Sequence, residues 1–217
     1  MPALSRIRKS VLSLALPVTV STLLQRAEGI AAVFLVGGLG AGPIAAVGLG
    51  QLLVFIGTTL LSGLSVGANV MVAQLWGARR HKDAGEAATH LVCLSLVASA
   101  LLALVGVTGN TLAMTALGAE PDVITQATPY SNVIFLVVPF TILIQMLSSI
   151  LQGTGDTKTP MYALIAVNVL HILVAYPLVY GKWGAPAWGI QGAAWAVGIA
   201  ESTGAAYLLW SCRTILS

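Results

Sequence analysis

The sequence predicts an all-α integral membrane protein: a six-helix transmembrane bundle with both termini in the cytoplasm. Three observations predict it. Of 217 residues, 57% are hydrophobic and 8% are charged, with a mean hydropathy of +0.92. A soluble domain carries about 25% charged residues. A chain this poor in charge cannot clothe a water-facing exterior, so it needs lipid around it. The apolar residues also gather into six stretches, each near the roughly 20 residues that cross a bilayer. Finally, the basic residues fall in alternate connections, as the positive-inside rule requires.

The first segment spans about 11–36. It follows Arg6, Arg8 and Lys9 and is too long for the h-region of a signal peptide, which runs about 7–15 residues. It ends at the Gly-rich stretch 37–43, where a helix loses support. The second spans about 44–76 and must tilt or protrude. The third is 87–107 and the fourth 129–151. The region 109–127 holds Glu120, Pro121 and Asp122 and reads as an outer loop with a short surface helix. The fifth is 160–180, with Pro160 at a natural helix start. The sixth is 190–210. The whole chain is thus one six-helix lobe.

An inside N-terminus puts Arg6, Arg8, Lys9, Arg79, Arg80, Lys82, Lys158 and Arg213 in the cytoplasm. Lys182 alone faces outside, with Glu120 and Asp122. Trp76, Tyr180, Trp183, Trp188 and Trp210 fall near the predicted membrane edges, as an aromatic belt would. Small residues mark packing ridges: Gly63 and Gly67 form a GxxxG, and Gly192, Ala196, Ala200 and Gly204 recur every four residues.

Composition excludes several functions. Nucleic-acid binding needs a basic, polar face, which is missing. Cys93 and Cys212 sit in apolar runs without disulfide or metal spacing. No nucleophile–base set, phosphate loop or metal-ligand pattern occurs, so neither an enzyme nor a bound cofactor is expected. Residues 153–158 lack the spacing of a phosphate loop and read as a tight cytoplasmic turn.

The informative residues are the ionisable ones in the spans, which are costly there and functional candidates by default. These are Arg26, Glu28 and Glu201. Pro17, Ser21, Gln25, Glu28 and Ala32 share one helical face, polar where a lipid-facing stripe would be Leu and Val. Glu28 is therefore a candidate for exchanging a proton or binding a cation, against the plainer reading of an ion pair with a neighbouring helix. Arg26 is about 200° around the helix from Glu28, so the two do not pair, and it shares a face with Thr19 and Thr22. In the fifth segment Asn168, His171 and Ala175 share a face, and His171 could relay a proton. Glu201 shares its face with Val197 and Gly198 and has no obvious polar companion.

At the turn the chain becomes familiar. Leu151-Gln152-Gly153-Thr154-Gly155-Asp156-Thr157-Lys158-Thr159-Pro160-Met161 resembles the junction of the fourth and fifth helices in the multidrug and toxic compound extrusion (MATE) family. Leu14-Ala15-Leu16-Pro17 resembles its first helix. Leu39-Gly40-Ala41-Gly42-Pro43-Ile44-Ala45-Ala46-Val47-Gly48 resembles its first outer loop, and Val72-Ala73-Gln74-Leu75-Trp76-Gly77-Ala78 the end of its second helix. Val179-Tyr180-Gly181-Lys182-Trp183-Gly184, then Gly189-Ile190-Gln191-Gly192-Ala193-Ala194, is similar to its fifth-to-sixth connection.

The resemblance implies a multi-pass transporter of the plasma (inner) membrane. Such a protein has two six-helix lobes and exports small amphipathic or cationic drugs in antiport with Na⁺ or H⁺. The chain would be the N-terminal lobe, working with a missing C-terminal lobe or a second copy of itself. Three positions depart from the pattern: Ala32 and Ala175 stand where members often carry aspartate, and His171 where asparagine is frequent. The resemblance then leaves the coupling ion open. It points to Glu28, with Asn168 and His171, for cation or proton coupling, and to Gln25, Pro17, Arg26 and Glu201 around a substrate cavity. The rival expectations are a lipid-linked oligosaccharide flippase of the same superfamily, which would favour a cationic cavity, and a non-transporting truncated membrane fragment.

Overall fold

The computed structural model describes residues 2–216, with side chains from Leu12 onward. The side chains of Arg6, Arg8 and Lys9, counted above as cytoplasmic charges, lie outside the described residues. Six helices follow one another: α1 (Pro2–Gly37), α2 (Ala41–Gly77), α3 (His81–Ala116), α4 (Pro121–Gly153), α5 (Lys158–Tyr180) and α6 (Ile190–Leu216). There is no strand among the described residues. The first five are long and apolar enough to cross a membrane. The sixth is also long, at 27 residues, but Gln191, Glu201, Ser202 and Thr203 dilute its hydropathy.

The helices run further than the hydropathy pattern marks. The expected loop at 109–127 is helix apart from a break at 117–120: α3 continues to Ala116 and α4 begins at Pro121. Glu120, Pro121 and Asp122, which suggested a loop, are exposed at the break and the start of α4, while the polar residues before them are helical. Asn110 Nδ2 donates to Asn132 Oδ1 at 2.6 Å across α3 and α4, and Met114 and Ala127 are buried together beside Ala46. Pro121 sits at the helix start, where its missing N–H costs nothing.

Short turns enforce the antiparallel run of helices. At residues 154–157, Gly155 takes a φ of +94°, a conformation that a side chain disfavours. Asp156 Oδ1 accepts hydrogen bonds from the Lys158 and Thr159 backbone N–H groups at 3.1 and 3.0 Å. These N–H groups have no partner inside the helix, so Asp156 caps α5.

The core follows α4. It packs against α2, α3, α5 and α6, and 61% of its most apolar stretch is buried, against 22% in α1 and in α2. The largest apolar cluster joins Leu143, Met146, Leu147 and Ile150 of α4 to Val72, Leu164, Ala200 and Leu208. The four-residue ridge of α6 is buried throughout. Gly192 faces the Leu178 backbone and Gly204 faces Val167 of α5, so the small residues bring these helices together. The GxxxG of α2 behaves otherwise. Gly63 and Gly67 are exposed, and a Cβ at either would meet nothing within 4 Å. That pair packs no helix of this chain, because α2 turns its opposite face, with Val47, Gly57, Ala68 and Val72, to the core.

The outer surface is apolar. Leu23, Phe34, Leu60, Val105 and Leu112 are all more than 60% exposed, which only lipid or another apolar surface accommodates. Hydroxyls on that surface bond back to their own helix, as Thr19 does to the Ala15 carbonyl at 2.9 Å. Trp183 and Trp210 are exposed. Tyr180, by contrast, reaches inward and donates to the Leu35 carbonyl at 2.6 Å, tying the end of α5 to α1.

Candidate functional site

Polar residues converge in the middle of this apolar bundle. Two abutting cavities, of about 370 and 200 Å³, share Gln25, Glu28, Phe55, Thr58, Thr141 and Glu201 in their walls. The larger adds Arg26, Thr59, Ser62 and Gln145. The smaller adds Gln51, Tyr130 and Ala32. Helices α1, α2, α4 and α6 supply these polar groups, while α5 contributes only Leu164 and Val167.

The two carboxylates come from α1 and α6, far apart in sequence. Glu201 is 6% exposed, and the Thr141 hydroxyl of α4 donates to its Oε2. Glu28 is close enough for its charge to act on Glu201. Its Oε1 is shut off from solvent and meets no hydrogen-bond donor. Arg26 does not pair with Glu28, as the helical geometry predicts. Instead its guanidinium lies 5.9 Å from the centroid of the Phe55 ring, within reach of a cation–π attraction. Among the described residues the salt bridge is Arg80–Asp83, where α3 begins after the α2–α3 turn.

The structure rearranges the sequence-based candidates. Gln25, Arg26, Glu28 and Glu201 come together in one cavity. Glu201 does have a polar companion, Thr141, which lies 60 residues away and is invisible to a reading of α6 alone. Pro17 does not line either cavity. It is buried in α1, 11 residues before Glu28, which at 1.5 Å per residue is about 16 Å along the axis, and its carbonyl accepts from the Ser21 hydroxyl at 2.9 Å. Asn168 and His171 also lie outside the walls, because the cavity meets α5 a turn earlier, at Leu164 and Val167. Asn168 donates to the Leu164 carbonyl at 2.9 Å. His171 is fully buried, and neither ring nitrogen meets a hydrogen-bond partner. Gln51, Tyr130, Thr141 and Gln145 are wall residues that sequence reasoning missed. Their one signal was polarity inside an apolar run.

The comparisons with known proteins agree with the bundle. A family model described as MatE matches residues 17–177. The chain belongs to the MatE family. It is 29% identical over 194 residues to the probable multidrug resistance protein YoeA of Bacillus subtilis, covering 89% of this chain and 42% of that protein. It is 29% identical over 204 residues to the probable multidrug resistance protein NorM of Thermotoga maritima, covering 94% and 44%. A crystal structure of MATE in the bent conformation superposes with a TM-score of 0.86 at 26% identity, covering 94% of this chain and 44% of that one. A MOP superfamily transporter from Pyrococcus furiosus superposes with a TM-score of 0.84 at 25% identity, covering 96% and 45%. The chain thus spans less than half the length of the MatE relatives it matches. The fold of this lobe is that of the family, and the two bacterial relatives are named as probable multidrug resistance proteins.

Proposed function

We propose that the chain is the N-terminal lobe of a multidrug efflux transporter of the plasma (inner) membrane, one that exchanges small amphipathic or cationic compounds for Na⁺ or H⁺. The observation that carries this reading is the polar cavity, with the bare, solvent-shielded Oε1 of Glu28 in its wall. A carboxylate so placed in a membrane is costly unless something compensates it. A cation taken up from one side and a cationic drug taken up from the other both do so, and competition for one carboxylate couples their movements. The remaining wall suits an amphipathic guest, since Phe55, Ile144, Leu164 and Val167 offer apolar contact around a few polar groups. A C-terminal lobe, or a second copy of the chain, would close the cavity from the other side, as alternating access requires.

The lining argues against the lipid-linked oligosaccharide flippase, which would need a cationic cavity for pyrophosphate. Glu28 and Glu201 outnumber Arg26 there.

The test is efflux of a fluorescent organic cation from cells stripped of their own pumps. The chain, alone or paired with the C-terminal lobe of a relative, is expected to drive efflux that responds to a Na⁺ or H⁺ gradient and is lost in Glu28→Gln. Unchanged efflux in Glu28→Gln refutes the role of Glu28. No efflux in either arrangement under any gradient refutes the transport reading.

A further inference from the structure

We propose that the groove between α5 and α6 holds one anionic phospholipid of the cytoplasmic leaflet, with an acyl chain along the groove and the phosphate against Lys158 and Arg213. The inference does not rest on the transport reading, because the groove lies apart from the polar cavities.

The groove encloses about 370 Å³ between the two helices. Its floor is formed by Ala163 and Val167 of α5 and by Ala200 and Gly204 of α6, all of them buried. Tyr162 and Tyr207 stand at its sides, 58% and 43% exposed. Small residues between bulky ones leave a furrow open to the surroundings. On its other side Val167 lines the larger polar cavity, so this side chain is a partition between the two spaces. Along α5 the furrow runs from Tyr162 to Leu170, about 12 Å at 1.5 Å per residue. That is most of one leaflet, half of a hydrocarbon core about 30 Å thick.

The lining suits hydrocarbon. Apart from the two phenols at the sides, no ionisable group lines the groove among the described residues. Thr203 brings a hydroxyl into the lining, but it donates to the Ile199 carbonyl at 2.8 Å and needs no partner from a guest. A polar or ionic molecule would find nothing there to replace its water, whereas an acyl chain would.

The cytoplasmic end supplies contacts for a headgroup. Lys158 lies one turn before Tyr162 on the same face of α5. On α6 the Tyr207 and Trp210 rings have centroids 6.5 Å apart, and the Arg213 guanidinium lies 4.9 Å from the Trp210 centroid. This ladder carries the α6 side of the groove from Tyr207 to a cation. The distribution of basic residues assigns Lys158 and Arg213 to the cytoplasmic side. Asp156 is the acid at this end. Its oxygens accept from the Lys158 and Thr159 backbone N–H groups and from the Thr159 hydroxyl, and its charge reaches Cys212, the neighbour of Arg213. Two cations against one carboxylate leave the end positive. Basic pockets between helices on this side of a membrane take anionic headgroups, and Tyr and Trp settle at the headgroup level.

The experiment uses the 217-residue chain in mild detergent. Native mass spectrometry counts the lipid retained on titration with dioleoyl phosphatidylglycerol or dioleoyl phosphatidylcholine, which share their chains and differ in net charge. The expected result is one phosphatidylglycerol held per chain, at least tenfold more tightly than phosphatidylcholine. Lys158→Gln and Arg213→Gln should each weaken phosphatidylglycerol about fivefold, the size of one Lys or Arg contact with an anionic lipid surface. Lys158→Arg keeps the charge and should keep the affinity. Lys82→Gln removes the same charge at another exposed position of the cytoplasmic side and should change nothing. Ala166→Phe, at an exposed position of the lining, fills the furrow and should weaken both lipids; thermal unfolding read by tryptophan fluorescence checks that each variant is folded. Equal retention of the two lipids overturns the proposal by removing the selection for charge. A loss in Lys82→Gln as large as in Lys158→Gln overturns it by making the attraction a property of the whole face. Unchanged retention in a folded Ala166→Phe overturns it by placing the lipid elsewhere.

Discussion

Two glycines that look alike in sequence should respond in opposite ways to the same added methyl. A Cβ at Gly192 would fall within 2.6 Å of the Leu178 carbonyl carbon and closer still to its oxygen. Backbone cannot rotate aside as a side chain can. That oxygen is also held in place, because the Trp188 N–H donates to it at 2.9 Å. Overpacking of this kind costs about 1–3 kcal/mol, and an unyielding backbone puts the cost toward the upper end. Gly192 lies in the first turn of α6, so little helix propensity is regained. Gly192→Ala should therefore destabilise by about 2–3 kcal/mol, which is at least thirtyfold in the folding equilibrium. At Gly67 a Cβ meets nothing within 4 Å, and the residue lies inside α2. Gly67→Ala should be neutral or stabilise by up to about 1 kcal/mol, the Gly-to-Ala propensity difference. Reversible unfolding in mixed micelles of increasing SDS fraction, read by tryptophan fluorescence, measures both. Equal stabilities, or a damaged Gly67→Ala beside an unharmed Gly192→Ala, would refute this account of how α5 and α6 meet. They would also show that the open face of α2 is covered.

Two further predictions concern the turns. Asp156→Ala should cost about 1 kcal/mol through loss of the α5 cap, and Asp156→Asn should recover most of it because the amide oxygen still accepts from the two N–H groups; the same unfolding assay decides, and equal losses in both variants would show that charge rather than capping matters. For topology, a cysteine at position 158 should react with a membrane-impermeant maleimide only in inside-out vesicles, and one at 182 only in right-side-out vesicles, with Cys93 and Cys212 replaced by serine. Labelling of Lys158→Cys from outside would invert the bundle.

Much of the architecture was legible in the sequence because a membrane leaves few alternatives: a run of apolar residues long enough to cross has to satisfy its own backbone, which means helix. The helix ends were less legible. Asn110 and Thr111 look like loop residues when hydropathy is summed along the chain, yet Asn110 spends its amide on Asn132 of the next helix. Hydropathy records the cost of a polar group in lipid but not the partner that cancels it. The site divides in the same way. Glu28 stood out because a charge in a span is conspicuous. Thr141 and Gln145 did not, since an isolated hydroxyl or amide in an apolar stretch usually bonds to its own helix, as Thr58 does to the Val54 carbonyl. Their meaning comes from α1 and α6 meeting α4, and that is a fact of packing. The GxxxG of α2 erred in the opposite sense: spacing identifies a smooth face but not which neighbour it meets.

The place of α4 at the centre bears on how the chain is made. It is synthesised fourth, yet α2, α3 and α6 all lean on it. While the ribosome is still producing α4, α2 and α3 reside in the bilayer without the helix they both pack on, and Glu28 waits there with neither Thr141 nor Glu201 in the cavity wall. Insertion and assembly are thus separate events for this lobe, and a fault in α4 would strand helices that had already entered the membrane correctly.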